Sequence, residues 1–395
     1  MDLSIPYNGD LNFLQILKER KKYNIKTVYG KRAQDVIGGG RARYDITGYD
    51  EENLKKAIKI TKEMGAQFNY LFNAPCSANS EFEKEKEIVN QIEELVTEYK
   101  IDMVTIANPF LLKIVKKHFP NLKVSVSTIA RVDSLEKVLE YEKAGADEIT
   151  LDYNIYRNFP ELKRIKQNSS INFQLIANDG YLFNCPWAIY HFQLEGHDSQ
   201  LEYNNMLRYF SYCRFNCKQK SAKDPSELIR GMWIRPEDAK YYEEIGYRKL
   251  KIIDRLKETP WLLNVVDAYN DGKYDGNLSD ILCSFDTFEK EETKTPVIKK
   301  DDICEEKIQN LRNYWDLKPY IDNKKLNELN FIDFFRKSKT DCRNIKCSDC
   351  RYCEKIARQV VHVNTENANN VVNNLDIIKD TMADLLKQNK EKINA

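Results

Sequence analysis

KVSVSTIARVDSLEKVLEYEKAGADEITL, Lys123–Leu151, decides the fold. It opens with a short apolar run, Lys123–Ser127. Next comes Ser134–Ala144, where Leu135, Val138, Leu139 and Tyr141 recur at helical spacing, and then a second apolar run, Glu148–Leu151. Strand, helix and strand in so short a length make the βαβ unit of a parallel sheet. The same alternation extends in both directions. Strands are expected at Lys26–Tyr29, Gln67–Phe72, Met103–Ala107, Phe173–Ala177, Met232–Ile234 and Leu250–Ile253 as well. Glu52–Met64 reads as a helix through Leu54, Ala57, Ile58 and Ile60. Pro236–Ile245 reads as another, with proline and two acidic residues in its first turn. Eight such units in succession predict an α/β fold, a TIM (β/α)8-type barrel, and a doubly wound open sheet is the alternative.

The rest of the chain divides around that barrel. Residues 1–283 form the barrel, and 284–305 form a charged linker that begins SFDTFEKEETKTPVIKKDD (Ser284–Asp302). Residues 306–358 are a cysteine-rich, metal-binding extension anchored by Tyr314, Trp315, Phe331, Phe334 and Phe335. Residues 359–395 are a terminal amphipathic helix marked by Val371, Leu375, Ile378, Met382 and Leu385.

The 395 residues are 42% hydrophobic, enough for a sizeable core, and 62 Lys and Arg balance 61 Asp and Glu. That balance lacks the basic excess of a dedicated nucleic-acid binder. No apolar run reaches membrane-spanning length, and the start, MDLSIPYNGDLNF, lacks the pattern of a secretory signal. The expectation is a cytoplasmic protein with no membrane partner. Ten cysteines in that setting favour metal ligation or redox chemistry over disulfides.

The cysteines fall into two sets. Cys342, Cys347, Cys350 and Cys353, in DCRNIKCSDCRYCEK, have the spacing C-x4-C-x2-C-x2-C. Successive three-residue steps suit a cubane [4Fe–4S] cluster, whereas a zinc site more often splits into two separated C-x2-C knuckles. Zinc is the alternative at this site, and four unligated thiols are the third reading. Cys185, Cys213 and Cys217 form the second set, the last two a C-x3-C pair, and leave a cubane one ligand short. Cys76, after the second predicted strand, is the candidate fourth ligand, with a free rim cysteine as the alternative. Cys283 and Cys304 have no evident companions and read as structural. One or two clusters are therefore expected.

Active sites of such barrels sit at the C-terminal ends of the strands. The residues just past the predicted strands include Asn73, Asp152, Asp179, Arg235, Asp254 and Arg255. Asp152 and Asp179 are candidate acid/base groups. His191 is either a site residue or a satisfied buried histidine, and His118 reads as a surface residue. Arg41, Arg43, Asn73, Arg235 and Arg255 are candidates for binding an anionic substrate, with structural ion pairs as the alternative for the arginines. Gly38–Gly40 could form an anion-binding turn. HExxH, GxSxG and P-loop motifs are absent, and no arrangement of nucleophile, metal-bound water or paired carboxylates for hydrolysis is recognisable.

Five segments in order resemble the U32 peptidase family. They are KTVYGKRAQDVIGGGRARYD (Lys26–Asp45), AQFNYLFNAP (Ala66–Pro75), VSVSTIARVDSLEKVLEYEKAGADEITL (Val124–Leu151), NDGYLFNCPWAIYHF (Asn178–Phe192) and IRPEDAKYYEEIGYRKLKIIDR (Ile234–Arg255). The last is similar to the family's S-P-x-D-L…K-I-E-G-R signature. Here IIDR replaces I-E-G-R, so the carboxylate one step earlier is missing and Asp254 stands nearby. The C-terminal four-cysteine module lies outside the family's core pattern. The resemblance implies either a collagenase-like protease or an iron–sulfur protein that hydroxylates RNA bases or quinone precursors without molecular oxygen, in some members with prephenate as oxygen source. Such members hold [4Fe–4S] with four cysteines that include a C-x3-C pair. Cys213 and Cys217 match that pair, Cys185 matches the preceding cysteine, and Cys76 takes the fourth place.

Together these readings predict an iron–sulfur oxidoreductase of the oxygen-independent hydroxylase type. Its substrate would be an anionic small molecule, a peptide or RNA at the barrel rim, and its partner a paralogous subunit or an electron-donor protein. A U32-type peptidase with structural metal and a non-catalytic cluster-bearing subunit are the alternatives.

Overall fold

Runs of β-branched and aromatic residues flanked by glycine, proline and charged turns form eight short parallel strands. They are β1 (Asp2–Pro6), β2 (Ile25–Gly30), β3 (Gln67–Phe72), β4 (Met103–Ile106), β5 (Lys123–Val126), β6 (Glu148–Thr150), β7 (Asn172–Ile176) and β8 (Lys249–Lys251). Each pairs with its neighbour in sequence, and β8 closes on β1 through Asp2↔Lys249, Leu3↔Leu250 and Ser4↔Lys251. The result is the expected closed barrel, here in a computed structural model. It describes residues 1–32, 35–41, 50–77, 80–200, 212–283, 317, 319–338, 341–374, 376–377, 379–380, 383–384 and 387.

The strand count is as expected, but one strand is different. Met232–Ile234 is not a strand. It is a buried extended stretch whose ladder is reduced to Ile234 N–H donating to Ala177 O at 2.8 Å. The eighth place belongs to Asp2–Pro6, whose alternation is too brief to stand out and whose last residue is proline. Both faces of a parallel strand are buried, which explains Val124, Val126, Ile149 and Leu175 at zero exposure. The barrel lumen is polar. Asn69 accepts from Thr105 at 2.9 Å, Gln174 donates to Thr150 at 2.8 Å, and Ser125 donates to Glu148 at 3.0 Å. Glu148 also pairs with Lys249 at 2.8 Å, reaching from β6 past β7 to β8 through the interior.

The helices cover the outside of the barrel. Glu51–Glu63, capped by Asp50, and Leu135–Lys143, capped by Ser134, agree with the sequence reading. The third expected helix divides into a 3-10 turn, Pro236–Asp238, and Ala239–Glu244. Between β7 and β8 the chain makes a long excursion through the helices Ala188–Asp198, Tyr212–Lys223 and Ser226–Arg230.

The cysteine-rich segment packs directly onto the barrel. A two-stranded antiparallel ladder, Tyr320–Ile321 with Val361–His362, starts and ends it. Helix Tyr352–Val360 lies along Ser226–Arg230, and Thr365–Asn373 lies along Tyr212–Lys223. Val371 is buried in that second contact, and Gln219 donates to Val372 O at 2.9 Å. The predicted linker and Cys304, Tyr314, Trp315, Leu375, Ile378, Met382 and Leu385 lie outside the described residues.

The Glu148–Lys249 pair generates a prediction. Lys249→Met leaves a buried carboxylate without its cation and should lower the unfolding free energy by about 3 kcal/mol. The Glu148→Gln/Lys249→Met double variant should recover most of that loss in denaturant melts. Equal losses in the single and double variants would contradict the lumen network.

Candidate active site

The mouth of the barrel is built from the residues that follow β2, β7 and β8. Past β7, Asn178 fixes the neighbouring loops. Its Oδ1 accepts from Ile253 N–H at 2.8 Å, and its Nδ2 donates to Ile253 O at 2.5 Å and to Ile281 O at 3.3 Å. Its carbonyl accepts from Cys283 N–H at 2.9 Å. Asp254 follows directly and forms a two-point ion pair with Arg41, 2.9 Å from Nε and 2.8 Å from Nη2. Arg41 comes to this position from the loop after β2.

Behind Arg41 the glycine turn is held by side chains. Gly38 N–H donates to Asp35 at 2.6 Å, Gly39 N–H to Ser199 at 2.7 Å and Gly40 N–H to Asn73 at 3.1 Å. Gly38 has φ +80°, and a Cβ there would also collide with Ser199 and Gln200. The three N–H groups are occupied, so the turn is a brace for Arg41 and not the expected anion nest. Asn73, predicted to touch substrate, serves this brace.

A cavity of about 220 Å³ opens beside the ion pair. Cys185, Cys213, Cys217 and Cys283 line it together with Arg41, Asp254 and Lys257. Tyr153, Tyr181 and His191 supply ring walls, with Tyr181 and His191 edge to face at 6.3 Å between centroids. Cys185 enters on the loop that leads into Ala188–Asp198, and Cys213 and Cys217 lie one turn apart on Tyr212–Lys223.

The charges at this mouth are strongly perturbed. Burial alone would raise the Asp254 carboxyl, but Arg41, with Arg255 and Lys257 behind it, holds it at about 2. Burial lowers Lys31 despite its ion pair with Asp35 at 2.9 Å. Burial also lowers Lys257, and brings Lys251 down to about 8 beside Lys249, Arg255 and Arg41. Lys251 sits 4.2 Å over the Tyr29 ring, and the buried Arg255 Nη1 has no hydrogen-bond partner among the described residues. Five cationic side chains, Lys31, Arg41, Lys251, Arg255 and Lys257, thus meet the carboxylates of Asp35, Glu148, Asp179, Glu195 and Asp254. Cys217 shares its proton with Cys185. That bond draws Cys185 down to about 6 and, with burial, pushes Cys217 up. Burial pushes the Cys283 thiol up to about 12, reinforced by Asp179 and Asp254.

The structure brings Arg41, Cys185, His191, Cys213 and Cys217, all singled out in the sequence, to the walls of one cavity. Asp179 is one step outside, accepting from Tyr181 N–H at 3.1 Å with Cys283 Sγ 3.9 Å away. Four expectations need correction. Asp152 is a structural cap. It is 1% exposed, paired with Arg131 at 2.6 Å and bonded to Asn154 N–H at 2.8 Å. Arg235 is a strut. Its guanidinium grips Asp238 at 2.7 and 2.8 Å and reaches Asn327 at 2.8 Å. Arg255 is buried behind Asp254 and does not line the cavity wall. Cys76 is absent from the cavity lining, its carbonyl held by Gln200 at 2.6 Å, whereas Cys283, read as structural, lines it. Arg43 lies outside the described residues. Lys251, Lys257, Tyr153 and Tyr181 were missed. Lys251 and Lys257 bracket the IIDR segment, and that position was the signal that could have found them.

Residues 20–177 match the family description "Peptidase family U32". The "Uncharacterized protease MJ1657" of Methanocaldococcus jannaschii is 26% identical over 372 residues, spanning 91% of this chain and 99% of that protein. The solved U32 peptidase Mk0906 superposes with a TM-score of 0.48 at 18% identity, covering 64% of this chain and 92% of the other. No helix among the described residues is long and apolar enough to cross a membrane.

Four thiols around one cavity are a soft donor set, the kind that selects iron–sulfur groups over hard cations. Among the described residues, no three Cys, His, Asp or Glu side chains are gathered closely enough to hold a single ion.

Lys251 supplies the pH test. Its folded pKa of about 8 lies below the ordinary lysine value of about 10.4, so between these values the unfolded chain holds a proton that the folded chain does not. Stability rises with pH across that window. Lys251→Met should stabilise the protein by up to about 3 kcal/mol below pH 8 and by almost nothing above about pH 10.4. A difference in melting temperature that does not change with pH would contradict the assignment.

Proposed function

We propose that the cavity is the active site of an iron–sulfur-dependent oxidoreductase that acts on a small anionic substrate without molecular oxygen. The observation that carries this reading is the convergence of Cys185, Cys213, Cys217 and Cys283 on the same walls as Arg41, Asp254 and Lys257. Cys185, Cys213 and Cys217 would hold the cluster, with Cys283 as the fourth thiol of that cavity. When bound, such a group would supply electron exchange.

The chain's own residues do the rest. Arg41 and Lys257 attract a carboxylate or phosphate, and Asp254 fixes the Arg41 guanidinium in place. His191 is positioned to move a proton at the cavity wall. Tyr153 and Tyr181 exclude water and offer ring faces. A volume of about 220 Å³ suits a small molecule or a single side chain or base better than an extended polymer.

The family description and the relative's name favour a second reading, peptide hydrolysis. It also has a local observation in its support. The Cys185 thiol is drawn down to about 6, and His191 shares its cavity, an arrangement of nucleophile and base.

One experiment separates the two. After strictly anaerobic purification the wild-type chain should carry iron and acid-labile sulfide, and Cys217→Ser should lose about four of each. Neither form should cleave denatured collagen or casein. Proteolysis that survives complete removal of iron, and is lost in Cys185→Ser, would overturn the oxidoreductase reading in favour of the peptidase.

A further inference from the structure

The second cysteine set lies away from the cavity, against the outer wall of the barrel. The chain makes one helical turn at Cys347–Cys350. It reverses at Arg351, where φ is +53° and the N–H bonds Cys347 O at 2.8 Å, and restarts as Tyr352–Val360. The reversal carries Cys353 back toward Cys342, and both pack against the main core. The thiols lie within electrostatic reach of one another. Cys342 feels Cys350 and Cys347, and Cys353 feels Cys342 and Cys347.

The unusual feature is the cation beside them. Arg157 is 2% exposed. It donates through Nη1 to Ile229 O at 2.6 Å and through Nη2 to Gly231 O. Its guanidinium stands 4.9 to 5.0 Å from the Trp233, Phe331 and Phe335 rings. No ion pair to a carboxylate is found for it among the described residues, and its buried Nε has no partner. Its field reaches Cys342 and Cys353. A buried guanidinium without a counter-charge costs several kcal/mol. Four thiolates around a metal group would supply that charge. Arg230, held by Asp224 at 2.9 Å and Glu227 at 2.8 Å, is within electrostatic reach of Cys347 and Cys353. Glu227 in turn pairs with Lys220 at 3.2 Å, on the helix that carries Cys213 and Cys217.

We propose that Cys342, Cys347, Cys350 and Cys353 hold a second, polynuclear iron–sulfur group with Arg157 as its buried counter-charge. The Lys220–Glu227–Arg230 bridge connects it to the cavity thiols. The set suits such a group better than zinc, because its spacing follows successive three-residue steps. This inference stands whether or not the cavity binds a cluster.

The test uses the full-length chain in a Cys213→Ser/Cys217→Ser background, so that the cavity set is disabled. Iron, sulfide and zinc are measured after anaerobic purification, and the dithionite-reduced protein is examined by low-temperature electron paramagnetic resonance. About four irons and four sulfides should remain and should be lost on adding Cys350→Ser. Arg157→Met should retain the iron and shift the reduction potential to a more negative value, because a nearby positive charge favours the reduced form. If Arg157→Met does not fold, Arg230→Gln should show the same direction of shift. Iron unaffected by Cys350→Ser, or one zinc per chain without sulfide, would overturn the site. A potential unchanged in both arginine variants would overturn the counter-charge.

Discussion

Closure of the sheet between β8 and β1 is the constraint on which the site depends. The pairing of Asp2–Ser4 with Lys249–Lys251 brings the end of β8 beside the strands at the start of the chain. Asp254 thereby comes within reach of Arg41, a residue more than two hundred positions away. The same closure places Lys251 over Tyr29 and lets Asn178 hold the loop after β8. Without it, the cations at the mouth would be separate surface charges with ordinary pKa values. With it, they form a partly desolvated pocket in which electrostatic interactions are stronger than in water.

The long excursion between β7 and β8 supplies what the barrel lacks. It delivers Cys185, His191, Cys213 and Cys217 to the mouth from helices that are not part of the repeating strand–helix pattern. Those helices are in turn clamped by the C-terminal segment, through Thr365–Asn373 on the Cys213 helix and Tyr352–Val360 on Ser226–Arg230. Arg157 and Arg235 are the barrel's side of that clamp. Their guanidinium groups satisfy buried carbonyls and Asn327, and Arg157 rests among Trp233, Phe331 and Phe335. Cys185, Cys213 and Cys217 thus sit on the excursion, and the C-terminal segment that carries the second thiol set packs against it.

Most of the barrel was legible because hydrophobic periodicity survives in short windows. Val124 and Val126 announce β5 as plainly as Leu135 and Val138 announce the helix after it. Met232–Ile234 misled because an apolar run declares burial, not pairing, and the distinction lies in a hydrogen-bond ladder invisible in sequence. The cysteine and arginine groupings were legible by residue type. Their roles were not, because a strut and a substrate ligand look alike in sequence. Arg235 has its Asp238 partner three residues on, whereas Arg41 meets Asp254 only through closure of the barrel. Cys283 was passed over for the same reason, since its companions are close in space and distant in sequence.

The proposed activity requires one metal group beside Arg41 and Asp254, surrounded by thiols from the excursion and by Cys283. The most direct measurement is anomalous diffraction at the iron edge, from crystals of the anaerobically purified chain. A strong iron peak is expected inside the cavity, bounded by Cys185, Cys213, Cys217 and Cys283. Protein prepared in the same way that shows full iron occupancy elsewhere, and free thiols at these four positions, would contradict it.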